Sequence, residues 1–278
     1  MLRARIITAL VLLSLLLPAL FAQSPLPFEV FTLALMAAAG WEWGRLNGQG
    51  QRGALVLGVV LALSCALTIW KIDTVPAPVW WAIAVMWILG GAAALRLGPR
   101  GWPRVPQQLR LVLGALMLWA AWLALTQAWA RGLNFLLSVF CLVWMADIAA
   151  YACGKALGRR KLAPTISPGK SWEGAIGGFL GVLLLAVLWS QWLDRHLGVD
   201  SASLFQTLLQ GQAWPLALLS LMLLGAMSVV GDLFESLVKR AVGAKDSSRL
   251  LPGHGGVLDR IDALLPVFPL AMALSSLS

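Results

Sequence analysis

Residues 213–262 read AWPLALLSLMLLGAMSVVGDLFESLVKRAVGAKDSSRLLPGHGGVLDRID, and this stretch indicates the class of fold. Its first 19 residues carry no charge, close to the ~20 apolar residues that a helix needs to cross a bilayer. From residue 232 the stretch concentrates five basic residues, several acidic residues and a histidine, and the chain becomes apolar again at residue 263. A dense polar cluster between two apolar segments predicts two membrane helices joined at a membrane surface.

The whole chain shares this apolar character. Of its 278 residues, 60% are hydrophobic and 12% are charged, and the mean hydropathy is +0.83. Soluble domains are about 45–50% apolar, so we predict an all-α, polytopic integral membrane protein. Segments of membrane-spanning length predict about nine transmembrane helices, near residues 6–22, 27–43, 53–70, 78–96, 111–130, 133–153, 174–193, 213–231 and 263–278.

The distribution of lysine and arginine predicts the orientation, because cytoplasmic loops carry an excess of both. With a cytoplasmic N-terminus, 18 of the 21 basic residues fall inside, and only Lys71, Arg131 and Arg195 fall outside. An odd number of helices then places the C-terminus outside. Topology therefore explains the net charge of +9, and we expect no nucleic-acid partner.

The first apolar segment has two interpretations. Arg3 and Arg5 precede residues 6–22, IITALVLLSLLLPALFA, which resemble a signal peptide cleaved after Ala22. Leu20 at the −3 position does not suit such a cleavage site. The separation of loop charges also requires this segment, so we expect a retained first helix.

Two features of the sequence predict how the helices are positioned in the membrane and how they pack against one another. Tryptophans at predicted helix ends, such as Trp43 and Trp80, are expected at the level of the lipid headgroups. A stripe of glycines at spacings of three and four is expected to let helices pack closely and, with the family resemblance below, suggests a homodimer. The stripe consists of Gly174, Gly177, Gly178 and Gly181.

The polar end of the eighth segment is a candidate site. A helix continuing past Asp232 would place Glu235, Ser236 and Lys239 on the same face. An ionisable group at the edge of an apolar segment is costly unless it binds something or lines a wet cavity. The alternative is a helix end that protrudes into the cytosol.

The glycine-rich run from Pro252 to Gly256 predicts a turn whose amides can cradle phosphate oxygens. Asp259 and Asp262 follow, one helical turn apart, and paired carboxylates suit Mg²⁺. Capping of the last helix would explain one aspartate but not both. The interleaved cations resemble a triphosphate clamp, although they would also enforce topology. These cations are Lys239, Arg240, Lys245, Arg249 and Arg260.

A second polar stretch lies upstream. Asp147 stands in the sixth segment, with Tyr151 one turn later on the same face. The next loop reads SPGKSWEG and contributes Lys170, Ser171 and Glu173. The alternative for this loop is a capping motif with Ser171 as the N-cap of the seventh helix, which would not require Lys170.

The order of these residues closely resembles the phosphatidate cytidylyltransferase family, also called CDP-diacylglycerol synthases. The shared pattern is S-x-V-K-R, then K-D, then P-x-H-G-G, and finally D-R-I-D, and it extends upstream through GDLFES, the SPGKSWEG loop and MADIAAY. It covers roughly the C-terminal half, which divides the chain into a membrane region at 1–130 and a catalytic region at 131–278 with cytoplasmic loops at 154–173 and 232–262. Gly169 stands where members often carry a second lysine, and Ser248, although it fits the small residue of the pattern, stands where glycine is common. The matching positions are Ser236, Val238, Lys239, Arg240, Lys245, Asp246, Ser248, Leu251, Pro252, His254, Gly255, Gly256, Asp259, Arg260, Ile261 and Asp262.

The resemblance implies attack of a phosphatidate phosphate on the α-phosphorus of CTP, which gives CDP-diacylglycerol and pyrophosphate in phospholipid biosynthesis. It implies a cytoplasm-facing site in a bacterial-type inner membrane, with Mg²⁺ and an optional second cation. Asp232, Asp259 and Asp262 are the expected metal ligands. The expected catalytic residues are these three together with Lys239, Arg240, Lys245, Asp246, His254 and Arg260. Of these, His254 is expected either to form a hydrogen bond with a phosphate or to shape the turn. The expected substrate-binding residues are Asp147, Lys170, Ser171, Glu173, Ser236, Gly255 and Gly256.

Other functions compete with this one. A CTP-dependent lipid or polyprenol kinase would use the same clamp but release CDP instead of pyrophosphate. A CDP-alcohol phosphatidyltransferase would require a D-G-x-x-A-R motif, which the sequence lacks. A cation or proton transporter would place its polar groups near the bilayer midplane in repeated, broken helices, and a structural scaffold has no use for paired aspartates.

Overall fold

The computed structural model describes residues 2–69 and 74–278, and these residues are largely helical. Lys71, one of the three basic residues predicted outside, lies beyond the described residues. The helices are α1 Leu2–Leu20, α2 Leu26–Leu46, α3 Gln51–Ile69, α4 Ala77–Gly101, α5 Gln107–Arg131, α6 Leu133–Leu157, α7 Trp172–Leu188, α8 Asp194–His196, α9 Leu204–Gly211, α10 Trp214–Ala241, α11 Leu258–Ile261 and α12 Leu264–Leu274. Short 3-10 turns cover Trp102–Arg104 and Ser275–Leu277, and a π-helical turn at Trp189–Leu193 joins α7 to α8.

Each predicted apolar segment coincides with a helix. Across residues 2–69 and 74–278, seven stretches are long and apolar enough to cross a membrane. The chain is therefore a polytopic, essentially all-helical membrane protein. The two remaining predicted segments form α1 and α2. The seven stretches are Gln51–Ile69, Ala77–Arg104, Gln107–Arg131, Leu133–Leu157, Trp172–His196, Trp214–Ala241 and Leu258–Leu277.

The last helix lies at the centre of the bundle. Every residue of α12 from Leu265 to Leu274 is buried, and α4, α5, α6 and α10 surround it. Outer helices expose large apolar side chains such as Leu10 on α1 and Leu63 on α3, as lipid-facing surfaces do. The D-R-I-D segment of the sequence pattern therefore leads directly into the most deeply buried helix.

The glycine stripe forms the contact between α6 and α7. A Cβ on Gly177 would lie 2.3 Å from the Cβ of Cys153, and one on Gly178 would lie 2.7 Å from the Ala146 carbonyl oxygen. Close helix packing is therefore confirmed, because only glycine permits this approach. Since α6 of the same chain covers the stripe, the stripe gives no support to the homodimer.

The prediction for the tryptophans was wrong at two positions. Trp43 and Trp80 are 4% and 2% exposed, so they lie inside the bundle and not at the lipid headgroups. Trp43 stacks on Phe234 of α10 at a centroid distance of 6.0 Å, and Trp102 meets Phe234 edge-on at 5.4 Å. These contacts join α2 and the end of α4 to the site-bearing helix α10.

Two segments predicted as loops contain regular structure. The loop predicted at 154–173 includes the end of α6 and an antiparallel hairpin of β1 (Lys161–Ala163) and β2 (Ser167–Ser171). The predicted helix past Asp232 is confirmed, since α10 continues to Ala241. At 1.5 Å per residue, the 28 residues of α10 exceed the ~30 Å hydrocarbon core. Its polar end can therefore reach the membrane surface.

Candidate active site

An ion pair lies in the wall of a polar cavity at one end of the bundle. The Nζ of Lys170 on β2 is 2.7 Å from Oδ2 of Asp232 on α10, and both side chains are partly exposed. Asp147 on α6 lies in the same wall, and the cavity has a volume of about 400 Å³. Three elements that are distant in sequence thus bring a cation and two carboxylates to one accessible space.

The hairpin positions Lys170 through capping contacts. The Ser171 hydroxyl accepts a hydrogen bond of 3.1 Å from the Gly174 amide, so Ser171 is the N-cap of α7. Glu173 accepts hydrogen bonds from the amides of Arg159 and Arg160 at 3.1 and 3.2 Å. The capping interpretation of Ser171 is therefore confirmed. Lys170 is the residue of SPGKSWEG that pairs with a carboxylate of the cavity.

Asp262 lies between α11 and the last helix, next to the segment of α10 that carries Asp232. A Cβ on Gly231 would lie 2.4 Å from the Asp262 carbonyl oxygen, so the two backbones are in close contact. The Asp262 Oδ1 accepts a hydrogen bond from the Ala263 amide at 2.7 Å, and its side chain does not line the cavity that Asp232 and Asp147 share. Within residues 2–69 and 74–278, no three His, Cys, Asp or Glu side chains are drawn together at metal-holding distances.

Asp259 has different partners from Asp262. Its Oδ1 accepts a hydrogen bond of 2.5 Å from Lys239 Nζ. Its Oδ2 accepts from the Ser247 amide, the Ser247 hydroxyl and the Gly256 amide at 2.8, 2.8 and 2.7 Å. Lys239 also pairs with Glu235. The assignment of Asp259 to metal stays a prediction, and its carboxylate here organises the loop between α10 and α11.

The predicted glycine turn is present. Gly253 and Gly255 have φ of 78° and 83°, a region that favours glycine. Leu251 and Gly255 form an isolated antiparallel bridge, and the His254 amide donates to the Leu251 carbonyl oxygen at 2.8 Å. His254 therefore takes part in the turn through its backbone, whereas the Gly256 amide already donates to Asp259.

The other predicted cations lie in two places. Lys245 and Arg249 line a second cavity of about 600 Å³ together with Asp246 and Arg45 of α2. Arg240 donates to the carbonyl oxygens of Ala244 and Ile166 at 2.9 and 3.4 Å, which ties α10 to the hairpin. Ser236 donates to Asp232 at 3.2 Å, and Arg260 is exposed.

This geometry coincides with full-length similarity to known proteins. The sequence pattern of the cytidylyltransferase family matches residues 3–278. The chain belongs to the cytidylyltransferase family. A phosphatidate cytidylyltransferase of Pseudomonas aeruginosa is 40% identical over 282 residues, which cover 99% of this chain and 97% of the relative. The Haemophilus influenzae enzyme of the same name is 33% identical over 294 residues, covering 97% and 96%. That of Brucella suis is 34% identical over 282 residues, covering 95% and 89%.

The similarity of this cytidylyltransferase extends over the first five helices, which the motifs alone did not reach. Those helices contribute contacts that sequence reasoning missed. Glu42 of α2 accepts three hydrogen bonds from the loop between α10 and α11 and a fourth from the first residue of α11. Arg5 and Thr8 of α1 donate to the carbonyl oxygens of Gly253 and Pro252, each at 2.9 Å. The available signal for Glu42 was a carboxylate near the end of the apolar segment 27–43, because such a group is costly without partners.

Proposed function

We propose that this chain is a phosphatidate cytidylyltransferase that transfers CMP from CTP to phosphatidic acid. An oxygen of the phosphatidate phosphate forms a bond to the α-phosphorus of CTP, and the bond to the β-phosphate breaks. CDP-diacylglycerol and pyrophosphate are the products. The observation that carries the proposal is the Lys170–Asp232 pair in a cavity at the end of apolar helices, in a chain related over its full length to enzymes of that name.

The reaction joins two anions, so positive charge must hold both phosphates in line and stabilise the charge that develops. Lys170 supplies such a charge in the first cavity. Lys245, Arg249 and Arg45 supply it in the second. We propose that the second cavity takes the triphosphate end of CTP, because arginine and lysine suit phosphate oxygens.

Asp232 and Asp262 are the proposed Mg²⁺ ligands, with Asp147 nearby. Hard carboxylate oxygens suit Mg²⁺, which binds one or two carboxylates and keeps water and substrate phosphates as its other ligands. The fit rests on Asp232, whose carboxylate is partly exposed and lines the polar cavity, so it would be accessible to a divalent cation there. When bound, the metal would neutralise phosphate charge. Asp259 fits this role less well, because four donors already occupy its oxygens.

An apolar cavity adjoins the polar one, which suits a phosphate-bearing lipid. This cavity of about 330 Å³ includes Met222, Gly225 and Phe179. Ala150, Leu162, Ala175 and Val229 line both cavities. A headgroup in the polar space can therefore keep its acyl chains in an apolar environment.

For the topology we propose nine membrane helices, with the N-terminus and the site at the cytoplasmic face of the inner membrane. Two contacts support this arrangement. Arg5 near the N-terminus donates to Gly253 beside the site, whereas Arg131 donates to Ser275 near the C-terminus. These are the groupings that the loop charges predict for the inner and outer faces.

The test is an assay of purified protein with CTP, phosphatidate and Mg²⁺ in mixed micelles. Release of pyrophosphate in step with CDP-diacylglycerol is the expected result. Release of CDP with a phosphorylated lipid would instead identify a kinase, and release of neither from folded protein would refute both. Diacylglycerol in place of phosphatidate is the matched substrate control, because it lacks the attacking phosphate.

A further inference from the structure

Glu42 is a fully buried carboxylate far from any predicted site residue in sequence. It is 0% exposed and lies in α2. Its Oε1 accepts hydrogen bonds from the Ser248 hydroxyl at 2.6 Å and the Val257 amide at 2.9 Å. Its Oε2 accepts from the Ser247 hydroxyl at 3.1 Å and the Leu258 amide at 2.8 Å. Three of the four donors belong to the loop between α10 and α11, and the fourth, the Leu258 amide, is at the first residue of α11.

A carboxylate without hydrogen bonds would be very unfavourable in this position. Among the described residues, the contacts of Glu42 are with hydroxyl and amide groups, each of which is itself buried and needs an acceptor. Glu42 and the loop therefore depend on one another. If Glu42 loses its charge or moves, the backbone amides of Val257 and Leu258 lose their acceptor.

A second carboxylate, that of Asp259, also accepts hydrogen bonds from this loop. Ser247 lies between the two carboxylates and contacts both. The Ser247 hydroxyl lies 2.8 Å from Asp259 Oδ2 and 3.1 Å from Glu42 Oε2, so its single proton is shared between the two carboxylates. Gly256 fits between them because it lacks a side chain: a Cβ there would lie 2.1 Å from Ser247 Oγ and 2.3 Å from Glu42 Oε1. The second glycine of the P-x-H-G-G motif thus makes room for Glu42.

The loop held in this way carries charged groups of the candidate site. Lys245 and Arg249, on either side of the clamped serines, line the second cavity, and Arg45 reaches it from α2, one turn after Glu42. Asp259 holds Lys239 at the other side of the loop. Lys245 and Arg249 flank Ser247 and Ser248 closely in sequence. A shift of the serines away from Glu42 would therefore move both cations.

We infer that Glu42 is a positioning residue of the transferase reaction. It acts through residues 246–258, fixing the cations of the second cavity relative to Asp232 and Lys170 of the first. The inference rests on the proposed function, and it assigns a role in catalysis to the N-terminal membrane region. Glu42 itself contacts neither cavity in the structure, so its effect would be on geometry and not on the chemistry of a substrate atom.

The test compares Glu42→Gln, Glu42→Asp and the matched control Glu29→Gln in the full-length protein in lipid nanodiscs. A glutamine keeps one acceptor oxygen, but its amide would face the Ser247 or Val257 side of the clamp as a donor. Since displacement of about 1 Å can cost about a hundredfold in rate, kcat/KM for CTP should fall by about that factor in Glu42→Gln. Glu42→Asp, which keeps the charge, should recover part of the loss, and Glu29→Gln on the same helix should match the wild type.

Two readouts separate positioning from folding. KM for CTP should rise in Glu42→Gln per folded molecule, and hydrogen exchange of the amides at 256–258 should become faster while exchange in α12 stays unchanged. Loss of activity only in proportion to loss of folded protein, with unchanged KM values, would overturn the inference. So would unchanged kinetics with unchanged exchange.

The exchange measurement also separates this inference from the proposed function. If the wild type failed to release pyrophosphate, the transferase proposal would fail. Faster exchange in Glu42→Gln would then still establish the clamp, and CTP-dependent protection of residues 246–258 would still test its link to nucleotide binding. Ser248→Ala, which removes one of four donors, should give a smaller change in exchange than Glu42→Gln.

Discussion

Lys170 and Asp232 form an ion pair of 2.7 Å between the hairpin strand β2 and the helix α10. Each side chain keeps about a quarter of its surface exposed, 24% and 29%, so the pair is accessible to ligands. An exposed ion pair contributes little to stability. Its position in a cavity with Asp147 therefore favours a role in binding charged substrates over a role in folding.

We expect Asp232→Asn to abolish CMP transfer, with a loss of at least about a hundredfold, because the neutral amide loses the ion pair with Lys170 and the charge that the proposed Mg²⁺ would need. The substitution keeps the size of the side chain and an acceptor for Ser236, so the melting temperature should change little. Pyrophosphate release at increasing Mg²⁺ is the measurement. Glu29→Gln on α2, which is expected to match the wild type, is the control. Recovery of full activity at high Mg²⁺ would contradict the metal assignment.

Local patterns predicted much of the fold. Apolar length alone placed each predicted segment on a helix, and the polar face after Asp232 correctly indicated that α10 continues. The turn at Gly253 and Gly255 followed from residue type, because only glycine adopts positive φ without strain. Such features depend on neighbours within a few residues, which a single sequence displays.

Contacts between distant segments were not predictable in the same way. Glu42 and Ser248 are 206 positions apart, and no spacing rule links them. Trp43 was misassigned for the same reason, since a tryptophan at a helix end faces lipid or protein according to how the helices pack.

A prediction about pH concerns the other end of the bundle. The Asp200 carboxylate accepts hydrogen bonds from the amides of Leu133 and Asn134 at 2.5 and 3.0 Å. Partial burial opposes ionisation, but the hydrogen bonds from Asn134 and Leu133 prevail and lower the pKa of Asp200. A lowered folded-state pKa stabilises the fold above the unfolded value of about 3.9, and this contribution is lost as pH falls through the folded-state pKa.

Asp200→Asn should therefore lower the melting temperature at pH 7, and the difference from the wild type should shrink as the pH falls below about 4. Thermal unfolding in detergent at several pH values measures this. Because Asp200 is largely exposed, the effect should be modest. A difference that is constant with pH would show that its charge does not stabilise the start of α6.

Gly256→Ala should impair both stability and activity. A methyl group there would lie 2.1 Å from Ser247 Oγ and 2.3 Å from Glu42 Oε1, so the loop must move, and overpacking of this kind costs about 1–3 kcal/mol. Gly90→Ala is the control, because no atom lies within 4 Å of its added Cβ. The melting temperature and kcat/KM of the two variants decide the matter. If the two variants had the same melting temperature and the same kcat/KM, the loop around Glu42 would have to tolerate the added methyl group.

The mature protein should retain α1. Arg5 donates to the Gly253 carbonyl oxygen and Thr8 to that of Pro252, each at 2.9 Å, and a Cβ on Gly253 would lie 2.8 Å from Arg5 Cγ. Cleavage after Ala22 would remove both donors from the turn beside the candidate site. The intact mass of purified protein should therefore include residues 2–22, and deletion of residues 2–20 should lower pyrophosphate release.

The double variant Arg5→Ala, Thr8→Ala should reproduce part of that loss, whereas Ser14→Ala, whose hydroxyl donates within α1, should not. A mature chain starting at Gln23 with full activity would contradict this role of α1.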